Sequence, residues 1–162
     1  MRPSSVAERA EGAGTSDRTG KRGGRRRWTR RNVAAVTLFV YASTFLWMTA
    51  SFAGTKKPPG GAAWSMANVG AVASLALFTV AAWGLFKSRW WWERVASAGA
   101  IAGLAALVPY GIAASSTGVP GPGLNSAIHI AGSAAVLLAL LVPALERRVQ
   151  VWLSGGGWPR KR

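Results

Sequence analysis

The sequence contains no cysteine, which excludes several kinds of chemistry at once. A disulfide, a thiolate nucleophile and a Cys-ligated metal all require that sulfur. Carboxylates are also scarce, since 5 Asp and Glu stand against 20 Lys and Arg in 162 residues. None of these charges lies inside the four long apolar runs of the chain. Proton-coupled exporters of this size need a carboxylate within the membrane and a retinal Schiff base needs a lysine there, so both classes are excluded.

Histidine is limited to one residue, His129. Ligation of haem by two histidines is therefore excluded within one chain. Met48, Met66 and His129 offer soft ligands of the kind that Cu(I) prefers, but they lie on three separate runs, so core packing is the preferred interpretation. Ser133 lies one helical turn from His129, yet no nucleophile elbow surrounds it. We predict no metal, no cofactor and no enzymatic activity.

The apolar residues are concentrated in four uncharged runs. The first has 21 residues, which would rise about 31 Å as a helix and match a hydrocarbon core of about 30 Å. Each run is apolar around the whole helix rather than along one stripe. The sequence therefore predicts an all-α integral membrane four-helix bundle with short loops and spans at about 33–53, 62–86, 95–116 and 124–145.

The sequence has two alternative interpretations besides four membrane spans. A soluble Ala-rich bundle would need Lys and Glu on its exposed faces, and the runs carry none. Thr29–Val33 loosely resembles a twin-arginine signal, and Ser51–Ala53 would pass as a cleavage site. However, the first run is longer than the 7–15 residues of a usual signal core and ends in bulky residues. Cleavage would leave three spans in the same orientation.

Polar tails flank the spanning region 33–145. Residues 1–32 contain few large apolar side chains and are predicted to form a disordered basic tail. Residues 146–162 form a second basic tail. Leu145, Val149, Trp152 and Leu153 fall on one helical face, which predicts a short interfacial helix ended by the glycines at 155–157.

The basic residues also predict the orientation. With four spans, the N-terminal tail, the second loop and the C-terminal tail lie on one side, with 18 Lys and Arg against 2 on the other. The positive-inside rule places that side, and both termini, in the cytoplasm. In its Ala, Gly and Arg bias and its overall plan, the chain resembles small four-helix membrane proteins of GC-rich bacteria, including DoxX-like ones. The resemblance lies in architecture alone and implies a bacterial inner (plasma) membrane.

One polar stripe stands out within the apolar runs. Asn125, His129 and Ser133 are spaced by four residues on the fourth span, with His129 roughly 7–8 Å from its outer end. Asn68 and Tyr110 lie at similar depth on the second and third spans. Polar side chains at membrane depth usually face the bundle interior. We predict a cluster of Asn68, Tyr110, Asn125 and His129, either as a ligand pocket or, as we prefer, as hydrogen bonds that fix the bundle.

Charged and small residues suggest contacts with lipid and between helices. Basic and aromatic side chains beside the spans are predicted to contact anionic lipid headgroups: Arg25, Arg26, Arg27, Arg30, Arg31, Trp90, Trp91 and Trp92. Binding of nucleic acid by the same charges is disfavoured. Gly99 and Gly103 form a small-residue motif at which helices approach closely, within the bundle or between copies in a homo-oligomer.

These features favour a scaffold or regulator that acts on a membrane-protein partner or through lipid. The second hypothesis is a small transporter or ligand-binding bundle that uses the outer polar pocket. A membrane enzyme ranks last.

Overall fold

The computed structural model describes residues 29–49, 60–117 and 122–155. All regular structure in these ranges is helical, which confirms the predicted all-α class. The helices are α1 (Arg30–Thr44), continued by a 3₁₀ turn (Phe45–Met48), α2 (Ala62–Phe86), α3 (Trp92–Thr117), α4 (Pro122–Leu141) and α5 (Pro143–Leu153).

Helix α1 starts at a side-chain cap and ends in a tightened turn. The Thr29 hydroxyl accepts a hydrogen bond from the Asn32 amide at 3.3 Å, which satisfies a free donor of the first turn. After the 3₁₀ turn, Thr49 adopts an extended backbone, with φ −84° and ψ 157°. Helical structure therefore ends at Met48, and residues 50–53 of the predicted first span lie outside the described residues.

Three helices are long and apolar enough to cross a membrane. They are Ala62–Phe86, Trp92–Ser115 within α3, and Gly123–Leu141 within α4. This finding supports the predicted transmembrane character of the chain. Helix α3 starts before the predicted position and includes Glu93, and it continues through Pro109.

The helices pack in alternating directions around two groups of buried side chains. One group lies where α1 ends and α2 begins, and includes Phe45, Met48, Trp64 and Tyr110. The other lies where α1 begins and α2 ends, and combines Ala35, Leu85, Trp92, Ala96 and Leu153. Short loops between antiparallel neighbours account for this up-and-down order.

All seven basic residues of the described ranges lie on one side of the bundle, which we call the basic end. It comprises the start of α1, the turn between α2 and α3, and helix α5. The opposite side, where α2 begins and α3 ends, is called the far end. No described residue at the far end carries a charge.

The turn between α2 and α3 is closed by a residue in an unusual conformation. The Arg89 amide donates to the Gly84 carbonyl at 2.8 Å and the Ser88 amide donates to the Leu85 carbonyl at 3.1 Å, which together form a Schellman motif. Ser88 occupies the position that normally favours glycine, with φ 58°. Its hydroxyl accepts a hydrogen bond from Arg31 Nη1, which ties the turn to α1.

Helix α5 folds back onto the bundle. Val142 breaks the chain direction, and Pro143 opens the new helix, where its missing N–H costs nothing. Leu153 is buried and Val149 packs beside it. Gln150 Nε2 donates to Glu93 Oε1 on α3, so a polar contact also fixes the helix in place. Val149 and Leu153 of the predicted apolar face thus pack on the protein, whereas Leu145 and Trp152 stay exposed.

Candidate functional site

His129 lies in the interior of the bundle, on α4, with an exposed fraction of 0%. Its Nδ1 is 2.7 Å from the Asn125 carbonyl oxygen of the preceding turn. A carbonyl can only accept, so the hydrogen resides on Nδ1 and the neutral ring has its lone pair on Nε2. This pattern assigns the tautomer of His129.

The second ring nitrogen of His129 meets a hydroxyl on α1. Thr44 Oγ1 is 3.3 Å from Nε2 and also 2.7 Å from the Tyr41 carbonyl oxygen. A hydroxyl has one hydrogen to donate, so neutral His129 and the Tyr41 carbonyl compete for it. Nδ1 of His129 therefore has a full hydrogen bond, whereas Nε2 shares the Thr44 hydroxyl with the Tyr41 carbonyl.

Tyr41 adds a second connection between α1 and α4. Its phenol donates to the His129 carbonyl oxygen at 3.1 Å and lies 2.9 Å from Ser133 Oγ. The ring of Phe45 closes the space beside His129, edge to face, with ring centroids 4.4 Å apart. Aromatic side chains thus seal the histidine on the α1 side.

Asn125 extends the hydrogen bonds to α3. Its Nδ2 donates to the Tyr110 hydroxyl at 3.0 Å and to the Trp47 carbonyl at 3.4 Å. The structure thereby joins three of the four predicted residues, Tyr110, Asn125 and His129. The bonds from His129 run to Asn125 and Thr44 rather than to Asn68 or Tyr110. We call Tyr41, Thr44, Tyr110, Asn125, His129 and Ser133 the polar cluster.

Three buried polar atoms near the far end have no hydrogen-bond partner among the described residues: Trp64 Nε1, Asn68 Oδ1 and Asn125 Oδ1. Trp64 is 3% exposed, and its ring lies 6.0 Å from that of Tyr110. Asn68 follows Trp64 by one helical turn, but no hydrogen bond of its side chain connects it to the polar cluster. One donor and two acceptors therefore remain unsatisfied beside the cluster.

Tyr41 and Thr44 are the cluster members that sequence reasoning missed. They are spaced by three residues, so they share a face of α1. The available signal was this spacing of two hydroxyl side chains in an otherwise apolar run. Their partner helix could not be predicted, because the sequence does not give the rotation of α1 relative to α4.

Glycines allow the helices around the cluster to approach closely. A Cβ atom at Gly103 would lie 2.7 Å from Phe45 Cζ, and one at Gly99 would lie 3.2 Å from Leu77 Cβ. The structure places both predicted glycines against neighbours within the chain. Gly132, beside the polar stripe, is tighter still, since its Cβ would lie 2.2 Å from Tyr41 Cε2.

The predicted headgroup contacts occupy different environments. Arg25, Arg26 and Arg27 lie outside the described residues. Arg30 is exposed and Arg31 is half-buried. Trp90 is 73% exposed with the Arg94 guanidinium 5.0 Å from its ring, whereas Trp91 is half-buried and Trp92 is buried with Leu85 and Leu153. Only part of this set is therefore available to lipid headgroups.

No protein-family model matches the sequence, and no curated protein or solved structure is significantly similar to it. The class of the protein therefore follows from the helices themselves. The described residues are all-α, with three helices suited to cross a membrane and a buried polar cluster between α1, α3 and α4.

Proposed function

We propose that this protein is a non-enzymatic integral membrane protein that acts as a scaffold or regulator of a membrane partner. The observation that carries the proposal is the burial of His129 within the polar cluster. His129 is fully buried and its two nitrogens bond to Asn125 and Thr44. A catalyst or transporter needs such a group within reach of its substrate. Here the group contributes instead to the fixed arrangement of α1, α3 and α4.

The proposal includes four membrane crossings with both termini in the cytoplasm of a bacterial cell. Helix α1 and its 3₁₀ turn together run from Arg30 to Met48. At 1.5 Å per α-helical residue and about 2 Å per 3₁₀ residue, the uncharged part of this segment from Val33 to Met48 rises about 26 Å, close to the roughly 30 Å of a hydrocarbon core. The concentration of Lys and Arg at the basic end supports the placement of that end on the cytoplasmic side.

We expect the partner to bind at α4. Along the most apolar part of each long helix, 39% of the residues of α2 and 33% of those of α3 are buried, against 11% in α4. The outward side of α4 presents Leu124, Ile130, Leu138 and Leu141. A partner helix at this face would bury apolar surface and gain van der Waals contacts that lipid tails make less closely.

The partner proposal can be tested with a photoreactive amino acid at Ile130 on α4. The control is Ile101 on α3, which is similarly exposed, at 58% against 51%. We expect Ile130 to cross-link one protein at a fixed ratio to the chain, which mass spectrometry of the detergent-extracted complex would measure. Ile101 should react with lipid alone. Lipid adducts alone at both positions would contradict the proposal.

A second candidate is a ligand-binding bundle, and the unsatisfied atoms Trp64 Nε1, Asn68 Oδ1 and Asn125 Oδ1 favour it. Buried polar atoms without partners cost free energy that a small ligand with a hydroxyl or amide would recover. The same extraction would detect it as a bound small molecule. That molecule should be lost in Asn125→Leu and retained in Ser65→Ala, a change at an exposed serine of the far end.

A further inference from the structure

An apolar cavity of about 210 Å³ lies at the basic end. All five helices contribute to it, and every lining residue is apolar. Ala34 and Leu38 come from α1, Leu85 from α2, Ala96 from α3, Leu140 from α4 and Leu153 from α5. An engineered apolar cavity of about 150 Å³ stays dry and takes up benzene. The cavity here opens to the surface of the bundle, and its apolar lining suits a hydrocarbon chain rather than water.

A cationic side chain stands beside this cavity. Arg31 precedes the lining residue Ala34 by one turn of α1, and Ser88 follows the lining residue Leu85 by three positions. Arg31 Nη1 donates to the Ser88 hydroxyl, so the guanidinium spans the gap between the two helices. The site therefore has an apolar interior with a positive charge next to it.

Arg31 has an unfilled binding capacity. Its Nε is buried and has no acceptor among the described residues. A guanidinium presents five N–H donors in a rigid fork that matches the oxygens of a phosphate or carboxylate. A buried N–H without an acceptor costs free energy, which an anionic oxygen at this position would recover.

No carboxylate of the described chain fills that role. The two acidic residues in the described ranges are Glu93 and Glu146, and neither forms an ion pair with a described Lys or Arg. Glu93 Oε1 instead accepts from Gln150. Within the described residues, Arg31 thus has no carboxylate partner, and charge complementarity favours an anion at this position.

We propose that this end of the bundle binds one anionic phospholipid. An acyl chain enters the cavity, and a phosphate oxygen accepts hydrogen bonds from the guanidinium of the half-buried Arg31. The ligand chemistry follows from the juxtaposition, because the cavity requires hydrocarbon and the guanidinium requires an anion. A lipid of the leaflet at the basic end presents both at the depth where a transmembrane helix begins. Ser88 holds the arginine in place through its hydroxyl.

This site is separate from the outward face of α4 and from the polar cluster. It lies at the basic end, whereas Asn125 and Tyr110 lie toward the far end. The phospholipid proposal therefore stands or fails independently of the scaffold proposal.

The test is native mass spectrometry of the full chain, delipidated in detergent and titrated with defined lipids. Phosphatidylglycerol should bind about tenfold more tightly than phosphatidylcholine with the same chains. Inorganic phosphate and a free fatty acid of the same chain length should bind more weakly than phosphatidylglycerol. Equal binding of the two phospholipids would overturn the headgroup assignment. A fatty acid that binds as tightly as phosphatidylglycerol would overturn the phospholipid assignment.

Variants locate the site. Arg31→Gln should weaken phosphatidylglycerol binding about tenfold, while Arg30→Gln, which removes the same charge from an exposed neighbour, should change it less than twofold. Ala34→Leu narrows the cavity and should weaken binding of both phospholipids, unlike Val33→Leu on the outward face. Arg31→Lys keeps the charge but loses the forked guanidinium, so its affinity for phosphatidylglycerol should lie between those of the wild type and Arg31→Gln. If Arg31→Gln does not fold, Arg31→Lys takes its place in the test. Equal losses from Arg30→Gln and Arg31→Gln would overturn the proposal.

Discussion

His129→Lys should destabilise the assembled helices by about 3 kcal/mol, the largest effect expected of a single substitution in this chain. His129 is fully buried, and both carboxylates of the described residues, Glu93 and Glu146, lie at the basic end and away from it. A lysine there would place an ammonium group among Phe45, Tyr41 and Thr44 without an anion to pair with. Titration with a denaturing detergent, followed by circular dichroism, would measure the free energy of unfolding.

Two controls separate charge from the loss of hydrogen bonds. His129→Leu removes the bonds to Asn125 and Thr44 and should cost about 1 kcal/mol, since hydrogen bonds within membranes average about 0.6 kcal/mol each. Leu145→Lys adds the same charge at an exposed position of the basic end and should be near neutral. Wild-type stability of His129→Lys would mean that His129 faces water, and the closed polar cluster would be wrong.

Gly132→Ala should cost about 2 kcal/mol by displacing the Tyr41 ring, which joins α1 to α4. The added Cβ would lie 2.2 Å from Cε2 and 2.8 Å from the hydroxyl oxygen of Tyr41, which is too close for either atom. Relief requires a movement of the ring, which would weaken the bonds from Tyr41 to Ser133 and to the His129 carbonyl. The same detergent titration measures this loss.

Gly111→Ala is the matched control. It is an identical change within α3, and a Cβ there meets nothing within 4 Å. Alanine has the higher helix propensity, so Gly111→Ala should leave stability unchanged or raise it by up to about 1 kcal/mol. Similar destabilisation by both substitutions would show that the close contact between Gly132 and Tyr41 does not contribute to the stability of the bundle.

The apolar helices could be predicted because their signal is simple. Runs of about 20 uncharged residues identify α2, α3 and α4 without knowledge of their neighbours. The end of the first run was harder to predict. Phe45–Met48 tightens into a 3₁₀ turn, and the hydroxyls of Thr44 and Thr49 bond to carbonyls three residues earlier. Such local competition for hydrogen bonds leaves no trace in hydropathy.

The polar stripe on α4 was visible in the sequence, but its partners were only partly so. Depth alone grouped Asn68 with Tyr110, Asn125 and His129. Depth does not give the rotation of each helix, and the structure turns Thr44 rather than Asn68 toward the imidazole. For the same reason Tyr41, which bonds to α4, could not be distinguished from its apolar neighbours.

The surface against which α5 packs also depends on tertiary structure. Its apolar face was predicted from Leu145, Val149, Trp152 and Leu153, but an amphipathic helix can lie on lipid or on protein with the same pattern. The structure buries Leu153 against α3 and α1 and leaves Trp152 45% exposed. The cavity beside Arg31 exists because of this docking, so no local motif could have revealed it.

The central claim is a four-span bundle whose basic end faces the cytoplasm, and the absence of cysteine makes it directly testable. Single cysteines at Thr29, Gly60, Gly123 and Ser154, all exposed positions, would react with a membrane-impermeant maleimide without any background from the chain. In intact cells with a permeabilised outer membrane, we expect labelling at Gly60→Cys and Gly123→Cys alone, with Thr29→Cys and Ser154→Cys labelled only after lysis. Labelling of Thr29→Cys or Ser154→Cys in intact cells would contradict the account.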